Sequence, residues 1–92
     1  MLPKYSIAET TTFKKKIAAP SYKKLHEKIL TYIYPQLKQN PFFGPNIKKL
    51  KGQFEEFYRY RIGKYRLFYT IDNNQILVII VDIVQRKDAY KK

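Results

Sequence analysis

The side chains able to act on a charged substrate are unevenly placed along this chain. It has four arginines, Arg59, Arg61, Arg66 and Arg86, all beyond residue 58, whereas its fifteen lysines are scattered along its length. In a strand, side chains two apart share a face, so Arg59 and Arg61 point the same way about 7 Å apart. Arg66 follows a Gly63-Lys64 turn, and hairpin pairing can bring it to that same face; Arg86 ends the last strand. Four guanidiniums around one sheet surface, with Tyr58, Tyr60, Tyr65 and Tyr90 close in sequence, make a set that can grip phosphates and stack bases. The plainer alternative makes them solvated positions paired with Glu55, Glu56 or Asp82. Four of them on strands that otherwise favour aromatics argue for the phosphate reading.

Lysines extend the set. Lys48, Lys49 and Lys51 form a basic knuckle that would act as a phosphate rail if it lies beside the sheet, and Lys64 and Lys87 are further RNA-binding candidates. His26 stands between Leu25 and Glu27 on a helix, away from the arginines, and is read as structural.

Composition restricts the chemistry further. The chain has 92 residues, no cysteine and one histidine. That excludes a disulfide scaffold, thiol catalysis, cysteine-ligated zinc and a histidine dyad, so no metal or other cofactor is expected. Hydrophobic residues at 45% and aromatics at 16% exclude a disordered tail and fit one domain over residues 1–92. The formal charge of +12 exceeds the magnitude of about 2–8 that solubility needs in a small domain and calls for a polyanion or acidic partner. The longest apolar run, residues 76–81, is far below the roughly 20 residues of a membrane span. No signal-peptide pattern opens the chain, so a cytoplasmic protein with no membrane partner is expected.

The elements that must position these residues read as a short strand near residues 4–8, then two basic amphipathic helices. The first is capped by Thr10, Thr11 or Thr12 and carries Phe13 and Ile17. The second is capped by Ser21 and carries Leu25, Ile29, Ile33 and Leu37 on one face. Pro35 lies inside that pattern and predicts a kink there or an end near Tyr34. A loop over residues 40–46 and the lysine knuckle, closed by Gly52, follow. Strands are expected over 54–62, 65–71 and 75–84, the last covered on both faces because residues 76–81 are continuously apolar. The fold class is α+β, two N-terminal helices on one face of a small, mainly antiparallel twisted sheet. The other face stays open for a ligand.

The string from Phe57 to Tyr69, with Tyr58-Arg59-Tyr60-Arg61-Ile62-Gly63-Lys64-Tyr65-Arg66 at its centre, resembles the RelE family of bacterial and archaeal toxins. So do Lys49-Leu50-Lys51-Gly52 before it and the ending Arg86-Lys87-Asp88-Ala89-Tyr90. The element order over the whole chain is similar to the RelE/ParE toxin superfamily of type II toxin–antitoxin systems. The resemblance implies a RelE-like fold and a ribosome-dependent mRNA interferase that cuts mRNA in the 30S A site without a metal. It also implies a cognate antitoxin as partner. The 2′-hydroxyl upstream of the scissile bond would attack phosphorus, leaving a 2′,3′-cyclic phosphate and a 5′-hydroxyl.

By position, Arg59 and Arg61 match the family's two basic strand residues, Arg66 its phosphate-gripping arginine, Arg86 its C-terminal catalytic arginine and Tyr90 its tyrosine. Arg61 and Arg66 would stabilise charge on the nonbridging oxygens, Arg86 the leaving 5′-oxygen, and Tyr90 would stack a base or orient the 2′-hydroxyl. Some members carry lysines where Arg59 and Arg61 stand, and others a histidine where this chain has Gln85. The general base is therefore open among Tyr90, Lys51 and Glu56. The alternative is a ParE-like poison of DNA gyrase without RNase activity. As exposed charges, Arg66 and Arg86 should each tolerate alanine without loss of folding.

Overall fold

The structure, a computed structural model that describes residues 4–52 and 56–88, is organised around a tight hairpin. β3 (Tyr58–Ile62) and β4 (Tyr65–Asp72) pair antiparallel with Ile62 opposite Tyr65, leaving Gly63-Lys64 as a two-residue loop. Gly63 has φ +55, which only glycine adopts without steric cost, and it stands at the first loop position, as in a type II′ turn. At the other end of β4 the Asp72 carboxylate accepts the backbone N–H groups of Asn74 and Gln75 and the Gln75 side-chain amide. That turn returns the chain into β5 (Leu77–Gln85).

Two further strands complete the sheet. β1 (Ser6–Glu9) runs parallel to β5, and β2 (Ile47–Lys49) runs antiparallel to β3, giving the order β1-β5-β4-β3-β2. β2 is the lysine knuckle, which shows no strand signal in the sequence. Three residues, two of them lysine, are too few to display alternation, and a short charged strand is how a sheet edge resists pairing with other chains.

α1 (Thr11–Ile17) begins where expected. The Thr10 hydroxyl accepts the Phe13 N–H at 3.2 Å and donates to the Val81 carbonyl at 2.8 Å, so one side chain caps the helix and ties it to β5. A 3₁₀ turn (Pro20–Tyr22) leads into α2, residues 23–39. Pro35 does not end α2, which runs on to Gln39. The residues before it form a π turn, Ile29–Ile33, in which the Tyr34 N–H reaches back to the Ile29 carbonyl. In a regular α-helix Pro35 would lack the N–H for the Thr31 carbonyl and its ring would press on it; widening the preceding turn is one way to relieve that conflict. The Thr31 hydroxyl donates instead to the Glu27 carbonyl.

Helices pack on one face of the sheet. Phe13, Ile17, Ile29, Ile33 and Leu37 meet Tyr60, Ile62, Leu67, Tyr69, Val78, Ile80 and Ile83 in a common core. The apolar run in β5 is not covered on both faces as its composition suggests. Val78, Ile80 and, past an irregularity at Phe68/Tyr69, Ile83 are buried, whereas Leu77, Ile79 and Val81 are only half-buried. Their neighbours β1 and β4 shield them from the sides, but the helices lie on one face only. Among the described residues, no helix is long and apolar enough to cross a membrane.

Three tyrosines bind the layers together through their hydroxyls. Tyr69 donates to the Pro41 carbonyl at 2.8 Å, Tyr60 to Gln36 Oε1 at 2.6 Å, and Tyr34 to Glu9 Oε2 at 2.6 Å. Burial raises the pKa of all three, and at Tyr34 the hydrogen bond to Glu9 and its negative charge raise it further. Above the ordinary tyrosine value of 10 the unfolded chain releases protons that the folded chain retains. The stability that these three groups contribute is therefore fully present below pH 10 and is lost as pH rises beyond it. An alkaline titration of phenolate absorbance should leave these three tyrosines silent until the chain unfolds; early titration of all nine would contradict this packing.

Candidate functional site

Strand register decides which side chains can share a ligand. Lys48 pairs with Arg59, Arg59 with Phe68, and Arg61 with Arg66, which puts all of them on the sheet face away from the helices. Arg61 and Arg66 are directly opposite. The Arg61 N–H bonds outward to the Asn46 carbonyl at 2.9 Å, so this is a close, non-hydrogen-bonded pair with Cα atoms about 4.5 Å apart. Two like charges so placed repel. Arg61 stays exposed, whereas Arg66 is only 7% exposed and its Nη1 donates to the Gly63 carbonyl at 3.1 Å and the Tyr65 carbonyl at 2.9 Å.

The carbonyl between those two is engaged as well. Lys64 O accepts the Arg86 backbone N–H at 2.6 Å. Three consecutive carbonyls of the hairpin turn are thus held, two by Arg66 and one by the start of the C-terminal 3₁₀ turn (Arg86–Asp88). This contact brings residues remote in sequence to one end of the sheet. A groove of about 390 Å³ there is lined by Lys64, Gln85, Arg86 and Lys87, and the Arg86 and Lys87 side chains are exposed. Lys64 Nζ lies 5.7 Å from the Tyr65 ring centroid. Arg59 is half-buried, with Nη1 donating to the Asn46 carbonyl at 3.2 Å.

The structure therefore brings Arg59, Arg61, Arg66, Lys64, Arg86 and Lys87 to one face and one end of the sheet. Tyr90 and Glu55 lie outside the described residues. The expectation that Arg66 is an exposed charge is corrected: it is buried in the turn, and alanine there should disturb folding. Asp82, which the plainer alternative pairs with an arginine, has its Oδ1 on Lys16 Nζ of α1 at 2.8 Å.

The lysine rail is divided by alternation. Lys48 shares the arginine face, but Lys49 opposite Tyr58 points to the helix side. Lys51 lines a separate cavity of about 860 Å³, shared with Phe42, Lys49, Glu56, Tyr58 and Asn73. That cavity sits at the opposite end of the hairpin, about 10 Å along β3 from Arg61. Lys51 and Glu56, two of the general-base candidates, therefore lie toward the Arg59 end of β3, away from the end that holds Arg61, Arg66 and Arg86. Lys51→Ala and Glu56→Gln should leave any activity of the arginine cluster within about twofold of wild type; a hundredfold loss would return one of them to the site.

The tyrosines of β3 and β4 are also reassigned. Tyr58 and Tyr60 alternate with Arg59 and Arg61 on β3, and Tyr65 with Arg66 on β4, so all three tyrosines point to the helices. Tyr60 is 2% exposed, Tyr58 stacks on Tyr69 with ring centroids 5.6 Å apart, and Tyr65 meets Tyr22 edge-on. Tyr60 belongs to the core, and Tyr58 and Tyr65 pack against it half-buried. His26 lines a groove between α1 and α2 with Ala18, Pro20 and Leu30, on the helical layer. Among the described residues, no cluster of His, Cys, Asp or Glu has the geometry to hold a metal.

Comparison with known proteins agrees with this architecture. The sheet and its two helices superpose on the RelBE2 toxin–antitoxin complex of Mycobacterium tuberculosis with a TM-score of 0.75, at 24% identity over 92% of this chain and 100% of that one. They superpose on the RelE–RelB complex of Pyrococcus horikoshii OT3 with a TM-score of 0.71, at 23% identity over 94% and 99% of the two chains. YafQ of E. coli gives a TM-score of 0.70 at 16% identity over 95% and 99%. In sequence, a Methanocaldococcus jannaschii protein provisionally named toxin RelE1 is 44% identical over 57 residues, 60% of this chain and 62%, less than two thirds, of that protein. The family model described as "ParE toxin of type II toxin-antitoxin system, parDE" matches residues 6–90. With nearly its whole length matched, this chain belongs to the ParE toxin family, within the RelE/ParE superfamily of type II toxin–antitoxin systems.

Proposed function

We propose that this toxin, as one domain over residues 1–92 acting in the cytoplasm, is an mRNA interferase of the RelE kind that cleaves the codon in the ribosomal A site. The observation that carries the reading is the convergence of Arg61, Arg86 and Lys64 at one open end of the sheet, fixed there by the Arg66 and Arg86 contacts to the Gly63–Tyr65 carbonyls. Cleavage begins with attack of the 2′-hydroxyl oxygen on phosphorus, its proton passing to water. The bond to the 5′-oxygen breaks, giving a 2′,3′-cyclic phosphate and, once the leaving oxygen takes a proton, a 5′-hydroxyl. Negative charge grows on the nonbridging and leaving oxygens, and guanidiniums already in place stabilise that charge more than they stabilise the ground state.

In this scheme Arg61 and Arg59 hold the phosphate on the open face, and Arg86 supports the leaving oxygen across the groove. Lys48, Lys64 and Lys87 neutralise flanking phosphates. Arg66 maintains the turn that sets the distance between the two sides. Tyr90 keeps its proposed part in orienting the 2′-hydroxyl or stacking a base. No metal enters. Arginine, protonated to above pH 12, is a poor proton acceptor, so charge and the in-line geometry imposed by the A site carry most of the effect.

The RelE–RelB and RelBE2 neighbours are complexes with antitoxins, and a cognate antitoxin is the partner proposed for this chain. Against a surface of +12 it should present acidic residues, so its affinity should fall as salt rises; an affinity indifferent to salt would contradict this. The ParE description of the family model favours one other reading, a poison of DNA gyrase that cuts no RNA. Primer extension on a reporter mRNA, with and without ribosomes stalled at a known codon, separates the two. Cuts inside the A-site codon that require the ribosome support the interferase. No cuts from folded protein that still arrests growth would overturn it, and inhibition of supercoiling would then identify the gyrase poison.

A further inference from the structure

With Tyr58, Tyr60 and Tyr65 turned toward the helices, the arginine face needs aromatic surface from elsewhere if it is to hold unpaired bases. Strand register supplies it. Phe68 of β4 pairs with Arg59 of β3 and so stands on the arginine face, half-buried. We infer that Phe68 is a base-stacking surface for the RNA whose phosphate is held by Arg59 and Arg61. The inference rests on the mRNA-cleavage reading and deepens it.

The backbone sets the distance between ring and guanidinium. The Arg61 N–H bonds outward to the Asn46 carbonyl, and Arg59, two residues earlier, has the same orientation. Arg59 and Phe68 are therefore a non-hydrogen-bonded pair, with Cα atoms about 4.5 Å apart and side chains at their closest. Lys48 pairs with Arg59 from the other side. A row of Lys48, Arg59 and Phe68 thus crosses three strands in steps of about 4.8 Å, two cations followed by a ring. The Arg61–Arg66 pair forms the next row on this face, about 7 Å along the strands.

The charges around the ring suit an anionic strand. Asp82 of β5 pairs with Phe68 on its far side, but its Oδ1 is engaged by Lys16 Nζ at 2.8 Å and by the Ile83 N–H at 2.8 Å. A cation of α1 therefore neutralises that carboxylate. Arg59 is steadied from the β2 side, where its Nη1 donates to the Asn46 carbonyl at 3.2 Å.

The core does not require this ring. Leu67 and Tyr69, on either side of Phe68 in sequence, are fully buried beneath the helices, and alternation turns Phe68 away from them. The other residues that β4 places on the open face are Arg66, Thr70 and Asp72, polar types that suit a sheet face without a covering layer. A large flat ring among them, beside a guanidinium, offers what a nucleotide presents: the phosphate meets the cation, and the base, which has a π-face whatever its identity, lies on the ring. In a duplex those faces are covered by neighbouring bases, so the surface selects unpaired RNA.

The test uses the full-length toxin on ribosomes, with 2-aminopurine placed in turn at each position of the A-site codon and a 2′-deoxy sugar at the attacking position to prevent cleavage. Wild type should quench the probe's fluorescence at one position. Phe68→Leu keeps an apolar side chain beside Arg59 but removes the π-face, so it should abolish that quench and weaken binding about tenfold. Phe68→Tyr should restore both. The salt slope should be unchanged in Phe68→Leu, because no phosphate contact is lost, whereas Arg59→Ala should reduce it by about one. Binding and quenching by Phe68→Leu equal to wild type would overturn the inference. So would a loss in Phe68→Leu that Phe68→Tyr does not restore, since the side chain would then serve packing and not a base. Failure of the wild type to cut the unmodified codon would overturn the mRNA reading itself, a result independent of Phe68.

Discussion

Arg86→Ala should reduce A-site cleavage about 10²–10³-fold and relieve growth arrest, with the chain still folded. The magnitude is that of deleting one preorganised donor from a site where negative charge develops. The fold should survive because Arg86 is anchored by its backbone N–H on the Lys64 carbonyl, a contact alanine retains, while its side chain is exposed. Cleavage by primer extension and the denaturation midpoint check the two halves together. A variant that cuts and arrests growth as wild type does would remove Arg86 from the site. Loss of cleavage together with unfolding would show that the side chain supports the fold.

Arg66→Ala should behave differently. Its guanidinium lies at 7% exposure and donates to the Gly63 and Tyr65 carbonyls, so truncation leaves both turn acceptors without that donor. The expected loss is about 2–3 kcal/mol of stability, read as a lower denaturation midpoint. Activity should fall as well, because the turn carries Lys64 and receives Arg86. Arg66→Ala as stable as wild type but unable to cleave would reverse the assignment and make Arg66 a phosphate contact. The pair of variants therefore distinguishes a side chain that meets the substrate from one that holds the scaffold.

Much of this architecture is legible in the chain. Thr10 before Phe13 and Ile17, the four-residue spacing from Leu25 to Leu37, and Gly63-Lys64 between aromatic strands each state a local rule that the tertiary structure obeys. Residues 47–49 misled for local reasons too. Pro35 predicts a kink or an end, and of the two the end does not occur: a π turn before it interrupts the regular helix and lets it run on while Ile29, Ile33 and Leu37 are held by the core. A three-residue strand is invisible until β3 offers it a partner.

The site shows the same division. Residue type and parity determined that Arg59 and Arg61 share a face, because alternation is a property of any strand. Parity also separates Lys48 from Lys49 and the arginines from Tyr58 and Tyr60, a consequence that charge and aromatic content conceal. What only the tertiary structure decided is depth and end. Arg61 and Arg66 carry the same side chain, yet one is exposed and the other buried, because Arg66 can fold back on turn carbonyls that Arg61 cannot reach. Lys51 and Glu56 are as basic and acidic as the mechanism could ask, but the β2–β3 pairing carries them to the far end of the hairpin. Phe42 and Phe43 are identical neighbours, and only the packing of Tyr5 and Tyr58 selects which ring turns inward and which stays exposed.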